Sequence, residues 1–353
     1  MKPTVIETCA IDVGYSNVKY TSGRVAIGGH VEIRAGHFPA VAPVLRNAGF
    51  EARPGTTGAD GVFVTLGGVR YFAGRGYEFH SSGSDVRSVP DNYCESDQYM
   101  ALARGAMHYI AQDVGAQQSL VIETLVLGLP LSTFRKYRLT LAARFEGDHI
   151  LEATGNGQMS CLVQVQKVLV VVQPMGALYQ LGTANPTSPV PGWTLVVDVG
   201  GGTLDWFVAK DLQPNWIRSG AHKRSMLDCC YAIADKNNPA WKEQPDIIER
   251  IDTALRTGAD TFEVQSETFR MVEYRDVVNA VLAESVNKML ASVGMTDNLN
   301  LVLVTGGGAN LFANYLCEKH PEFQGVLRVD PDGLYANVKG FHLMGEIEHS
   351  AAR

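Results

Sequence analysis

The chain has 353 residues, too many for one small core and suited to about two domains. Hydrophobic residues make up 46% and charged residues 19%, a globular composition, and the net charge of -7 argues against direct DNA binding, which needs clustered Lys and Arg. The six cysteines show no CxxC spacing, no run of about 18 apolar residues occurs, and the start MKPTVIETCAIDVG is not a leader; zinc fingers and membrane spans are not expected, and a cytoplasmic protein with reduced thiols is.

Residues Val5–Val13 read as a strand, and the short alternating runs from Lys19 to Ile33 suit a β-meander. ARPGTTGADG (Ala52–Gly61) is a loop by composition, and VFVTLGGVRYFAG (Val62–Gly74) is a hairpin turning at Gly67-Gly68. Ser96 can cap a helix running from Asp97 to about Asp113. Ser119–Leu131 is a buried strand stopped by Pro130, and Thr133–Gly147 has helical spacing with basic residues on one face, read as solvated surface. Val163–Leu181 gives a strand, a break at Pro174 and a helix. ANPTSPVPGW (Ala184–Trp193), with three prolines, is the best interdomain linker. Asp246–Leu255 and Asp276–Val293 are helical by period, Gly220–Lys236 is a loop and then a helix, Leu299–Phe312 is a strand opening into a helix, and Asn337–His349 is a terminal helix.

One internal echo organises the chain. CAIDVGYSNVKY (Cys9–Tyr20) and LVVDVGGGTLDW (Leu195–Trp206) share an apolar run, Asp, Val and Gly, and their aspartates lie 186 positions apart. Repeats at that distance indicate two related domains. Neither segment is a P-loop, because the chain has no Gly-Lys pair. Neither is a dinucleotide fingerprint: Asp205 stands where the third glycine belongs, and TLDWFVAK continues as a strand. The motif is strand, glycine turn, strand. Such a bend lets phosphate oxygens approach backbone N–H groups. An aspartate beside phosphate needs a cation between them, and Mg²⁺ suits few carboxylates plus phosphate and water. The plain alternative for either hairpin is an ordinary glycine turn with a capping Asp. A third stretch, Val304–Asn310, carries Gly306, Gly307 and Gly308 between a strand and a helix, where a ring or a phosphate can lie on bare backbone.

In this order the three motifs resemble the actin, Hsp70 and sugar-kinase ATPase superfamily. AIDVGYSNVKY, LGLPLSTFRKY, VVVQPMGALYQL, VVDVGGGTLDW and VLVTGGGANLF resemble the ParM/StbA-type plasmid-segregation actins, over roughly residues 5 to 345. The resemblance implies an α/β, actin-like (ribonuclease H-like) two-domain fold with a central nucleotide cleft. Domain I would cover residues 1–186, with a C-terminal helix near 335–353 returning to it, and domain II residues 187–334. Asp12 and Asp198 would hold Mg²⁺, largely through water. Gly14, Tyr15, Ser16 and Asn17 would form the first phosphate loop, with Lys19 reaching the β- and γ-phosphates. Gly200, Gly201, Gly202 and Thr203 would form the second, and Gly306, Gly307 and Gly308 would lie along the adenosine. Gln173 would orient the attacking water; its plain alternative is a helix cap. Lys223, Arg224 and Asp228 are candidates for the ribose and base, where the family pattern is weakly kept, leaving ATP against GTP open. The implied function is Mg²⁺-dependent, slow ATP hydrolysis driving filament turnover for plasmid segregation, with self as partner and DNA reached through a small basic, ParR-like adaptor. Two rivals stand beside it. A PilM-like scaffold ATPase would not polymerise, and a small-molecule kinase would need a base for which no second cleft acid has a clear claim.

Overall fold

The computed structural model describes residues 2–45, 60–81, 90, 92–152, 160–184, 190 and 192–351. Residues 52–59 of the expected loop at 52–61 and most of the expected linker at 184–193 lie outside the described residues. The chain divides into two compact units. One comprises Met1–Leu129, Thr133–Val171 and Phe341–Arg353, the other Pro130–Ser132 and Val172–Gly340.

In the first unit, β1 (Thr4–Val13) is almost wholly buried along its second half. It pairs antiparallel with β2 (Asn17–Ile27) and parallel with a later strand, and as a covered central strand it is buried on both faces from Thr8 to Val13. β3 (His30–Pro39) completes the meander, turning at Gly28 and Gly29, whose φ values of 58° and 85° suit a two-residue hairpin loop. β4 (Val62–Leu66) and β5 (Val69–Ala73) form the expected hairpin at Gly67-Gly68. α1 (Asp97–Asp113) starts where expected: Ser96 Oγ accepts the Tyr99 N–H at 3.1 Å. β6 (Ser119–Leu129) ends before Pro130, α2 (Leu131–Phe145) follows, then β7 (Gly147–Leu151) and β8 (Cys161–Val172). The sheet order is β3-β2-β1-β6-β8-β7. α3 (Gln173–Ala184), which belongs to the second unit, starts directly after β8. Pro174 lies in its first turn, where a missing N–H costs nothing, so the proline begins the helix rather than interrupting it.

The second unit repeats the plan. β9 (Trp193–Val199) pairs antiparallel with β10 (Leu204–Lys210), which continues to β11 (Gln213–Pro214) and β12 (Gly220–His222). α4 (Met226–Asn237), α5 (Pro245–Thr257), β13 (Thr261–Val264), β14 (Glu267–Arg270) and α6 (Arg275–Val293) come next. β15 (Leu301–Thr305) runs parallel to β9, and α7 (Ala309–Lys319), β16 (Leu327–Val329) and α8 (Ala336–Ala351) end the chain. The order is β11-β10-β9-β15-β16. In both units an Asp-bearing central strand pairs antiparallel with the next strand and parallel with one reached through helices.

All six cysteines are free and five are buried. Burial, reinforced by a nearby acid in each case, pushes the Cys94 thiol up to about 11 and Cys229 to about 12, so both stay protonated and unreactive at neutral pH.

The later part of α8 is tied into the first unit at a bulge in β2. Gly23 takes φ 93° there, and the register with β3 shifts between Thr21 and Arg24. Thr21 Oγ1 accepts the Ala10 N–H at 2.9 Å and lies 2.9 Å from His342 Nδ1. Arg24 forks onto Glu346 through Nε–Oε1 at 2.6 Å and Nη2–Oε2 at 2.7 Å. Burial alone would raise the Glu346 carboxyl, but the hydrogen bonds from Arg24 and His342 outweigh it and lower it from 4.5 to about 2. A depressed carboxylate stabilises the fold above its unfolded value and loses that contribution as pH falls through its folded value. The pair is partly exposed, so screening reduces its worth to about 1 kcal/mol. Glu346→Gln should therefore cost about 1 kcal/mol at neutral pH, and urea titrations should show the gap to wild type closing between pH 4.5 and 2.

Candidate nucleotide-binding turns

The first turn is built on β1 and β2. The Gly14 N–H donates to the carbonyls of Asp12 and Asn17, each at 3.1 Å, closing the bend. A Cβ on Gly14 would lie 2.9 Å from Asn17 O and 2.8 Å from Lys19 Nζ, so no larger residue fits without displacing backbone. Tyr15, Ser16 and Asn17 complete the tip and are half-buried. Ser16 O accepts the Ala40 N–H at 3.0 Å, which fixes the tip to the chain just beyond β3. Asp12 stands opposite Lys19 in the register, and Lys19 Nζ lies 3.2 Å from Asp12 Oδ2. The lysine expected on phosphate thus rests on the neighbouring carboxylate, a position from which a polyanion can draw it.

The second turn repeats the first. The Gly200 N–H donates to Thr203 O at 3.0 Å, as Gly14 does to Asn17 O, and Asp198 stands opposite Asp205 where Asp12 faces Lys19. The start of α4 holds the turn from below: Ser225 Oγ donates to Gly200 O at 2.5 Å and the Leu227 N–H to Gly201 O at 2.9 Å. Asp228 accepts the Ser225 N–H at 3.1 Å in a capping box, and Arg224 pairs with Glu284. Arg224 and Asp228, both considered for the ribose and base, therefore have structural partners at the helix start. Asp205, the acid at the missing glycine position, is buried and accepts the N–H of Leu131, the first residue of α2, at 2.9 Å.

Parallel pairing sets Thr305 beside Asp198, so the triple glycine opens next to the second turn. Gly306 has φ 89°, and a Cβ there would lie 2.6 Å from Asp198 Oδ1. A Cβ on Gly308 would press on Met226 Sδ at 2.5 Å and on Val199 Cγ1 at 2.7 Å. Two of the three glycines are thus required by the protein's own packing, and Gly307 is the least confined, with Arg256 Cδ at 3.3 Å. Gln173 is 8% exposed, at the first position of α3. Sequence reasoning missed Asn337, whose Nδ2 donates to Asp198 Oδ2 at 2.7 Å.

Taken singly, each turn has the donor types that suit a magnesium-bound phosphate, one carboxylate beside a glycine bend too tight for a Cβ. Among the described residues no group of three or more His, Cys, Asp or Glu could hold a metal ion. No helix among the described residues is long and apolar enough to cross a membrane.

Residues 10–176 match the family model for the N-terminal domain of actin-like proteins. An archaeal actin homolog of Thermoplasma volcanium is 24% identical over 342 residues, covering 94% of this chain and 96% of the relative. The actin-like protein Alp7A is similar in structure with a TM-score of 0.72 at 14% identity, covering 99% of this chain and 98% of that one. A 15-stranded ParM filament from Clostridium botulinum gives 0.72 at 16% identity over 98% and 100%. An archaeal actin homolog in complex with ADP gives 0.70 at 20% identity over 97% and 100%. The chain is therefore actin-like in fold, and its residues 10–176 match the model of the N-terminal domain of actin-like proteins.

Proposed function

We propose that this chain binds Mg²⁺-ATP through its two turns, hydrolyses it slowly, and assembles into filaments whose turnover segregates plasmid DNA in the cytoplasm. The observation that carries the reading is the matched pair of bends. Each has a glycine N–H closed onto the carbonyl three residues on and an aspartate two residues before that glycine. Similarity to a ParM filament supports assembly, and similarity to an actin homolog solved with ADP supports the nucleotide. Bound magnesium would neutralise phosphate charge. Asp12 and Asp198 would hold it, largely through water; the residues of both turns would donate backbone hydrogen bonds to phosphate, and Lys19 would move from Asp12 to the β- and γ-phosphates. Gly306, Gly307 and Gly308 would lie along the nucleoside. Gln173 would hold the attacking water without taking its proton, which suits a slow timer. With its net charge of -7, the protein would reach DNA through a small basic, ParR-like adaptor.

Sedimentation at micromolar protein with Mg²⁺ and ATP or GTP tests the assembly. Pelletable polymer that disappears as nucleotide is consumed is expected; a protein that hydrolyses ATP yet stays monomeric in several salts would be a scaffold ATPase instead. Gln173→Ala should slow hydrolysis about 10- to 100-fold while nucleotide affinity stays within about twofold, since water positioning acts in the transition state. Normal hydrolysis by that variant removes Gln173 from the mechanism.

A further inference from the structure

Asp12 and Asp198 occupy the same place in two copies of one turn, and one partner of each differs in kind. Asp12 Oδ2 faces the Lys19 ammonium at 3.2 Å, whereas Asp198 Oδ2 takes the amide of Asn337 at 2.7 Å. A nearby cation competes with a metal for a carboxylate. A neutral amide orients the carboxylate and leaves its charge intact.

Asn337 is the second residue of α8 and only 7% exposed. Both ends of its side chain are bonded: Nδ2 donates to Asp198, and Oδ1 accepts the Ala177 N–H of α3 at 3.3 Å. The amide has one orientation, because one partner only accepts and the other only donates. Its backbone is held as well. A Cβ on Gly176 would overlap the Asn337 backbone, and a Cβ on Gly340 would overlap the Gly176 carbonyl, so α3 and α8 touch here with no side chain between them. On the opposite side Gly306 leaves room for Asp198 Oδ1, which a Cβ would approach to 2.6 Å. One oxygen of Asp198 is thus anchored and the other has space reserved for it.

We propose that Asn337 is a positioning residue: it sets the rotamer of Asp198 for the nucleotide-bound metal and ties that carboxylate to α3, the helix that begins with Gln173. This assignment rests on the proposed reading of Asp198. A purely structural Asn would support helix packing and leave the metal response unmoved.

The test is nucleotide binding, read with a fluorescent ATP analogue, as a function of Mg²⁺ concentration, for the full chain and for Asn337→Ala and Asn337→Asp. Asn337→Ala should raise the Mg²⁺ concentration for half-maximal binding by about tenfold or more, with the weak Mg²⁺-free binding within about twofold of wild type. Asn337→Asp has the same shape but sets a second acid against Asp198 in place of a neutral amide, and should raise it at least as much. Either variant suffices, provided that its unfolding transition stays cooperative. A folded variant whose Mg²⁺ midpoint matches wild type while only its Tm falls would overturn the assignment. If wild type binds no nucleotide at any Mg²⁺ concentration, the proposed function fails and the assignment fails with it, an outcome distinct from normal binding with an insensitive variant.

Discussion

Asp198→Asn should lower Mg²⁺-dependent nucleotide hydrolysis by about three orders of magnitude while barely changing stability. The substitution keeps the shape of the side chain and an oxygen for the Asn337 amide, which donates to Asp198 at 2.7 Å. What it removes is the charge. Asp198→Ala should lose as much activity and, in addition, about 1–2 kcal/mol of stability, because it strands the buried amide of Asn337 without its acceptor. Steady-state hydrolysis with urea unfolding of both variants separates the two effects. Full activity in Asp198→Asn would remove the carboxylate from the chemistry and leave the second turn as a plain structural bend.

The second large effect is on stability. Gly340→Ala should cost about 3 kcal/mol in urea unfolding, because the added methyl falls on the carbonyl of Gly176 and two helix backbones must separate to admit it. Backbone cannot swing aside as the far end of a side chain does. Gly325→Ala is the matched control: its Cβ would meet nothing within 4 Å, and its change should stay within about 0.5 kcal/mol. Equal stability of the two variants would mean that α3 and α8 do not approach backbone to backbone. Because Asn337 lies one turn before Gly340 on α8, Gly340→Ala should also weaken the response to Mg²⁺ in the same direction as Asn337→Ala.

Much of this protein is legible along the chain because its signals are local. The turns at Asp12 and Asp198 announce themselves through glycines that a tight strand-to-strand bend requires, and Ser96 marks the start of α1 with its own hydroxyl. The helices at Pro245–Thr257 and Arg275–Val293 follow from the spacing of apolar residues. The β13–β14 hairpin escapes such a reading. It turns at Gln265 and Ser266, with φ of 50° and 71°, a conformation that Asn or Gly would advertise and these residues do not. A strand as short as the three-residue β16 carries too few residues for a period to show.

Chain order alone could not assign partners. Asp205 looks like a defect in a glycine motif until the fold brings the Leu131 N–H to it, 74 positions away. Asn337 looks like one polar residue on a terminal helix until α8 lies on α3 and its amide meets Asp198, 139 positions away. Backbone propensity and turn chemistry act over a few residues and are written in order along the sequence. The partner of a carboxylate depends on which distant surfaces pack together, and that is decided only when the whole core closes.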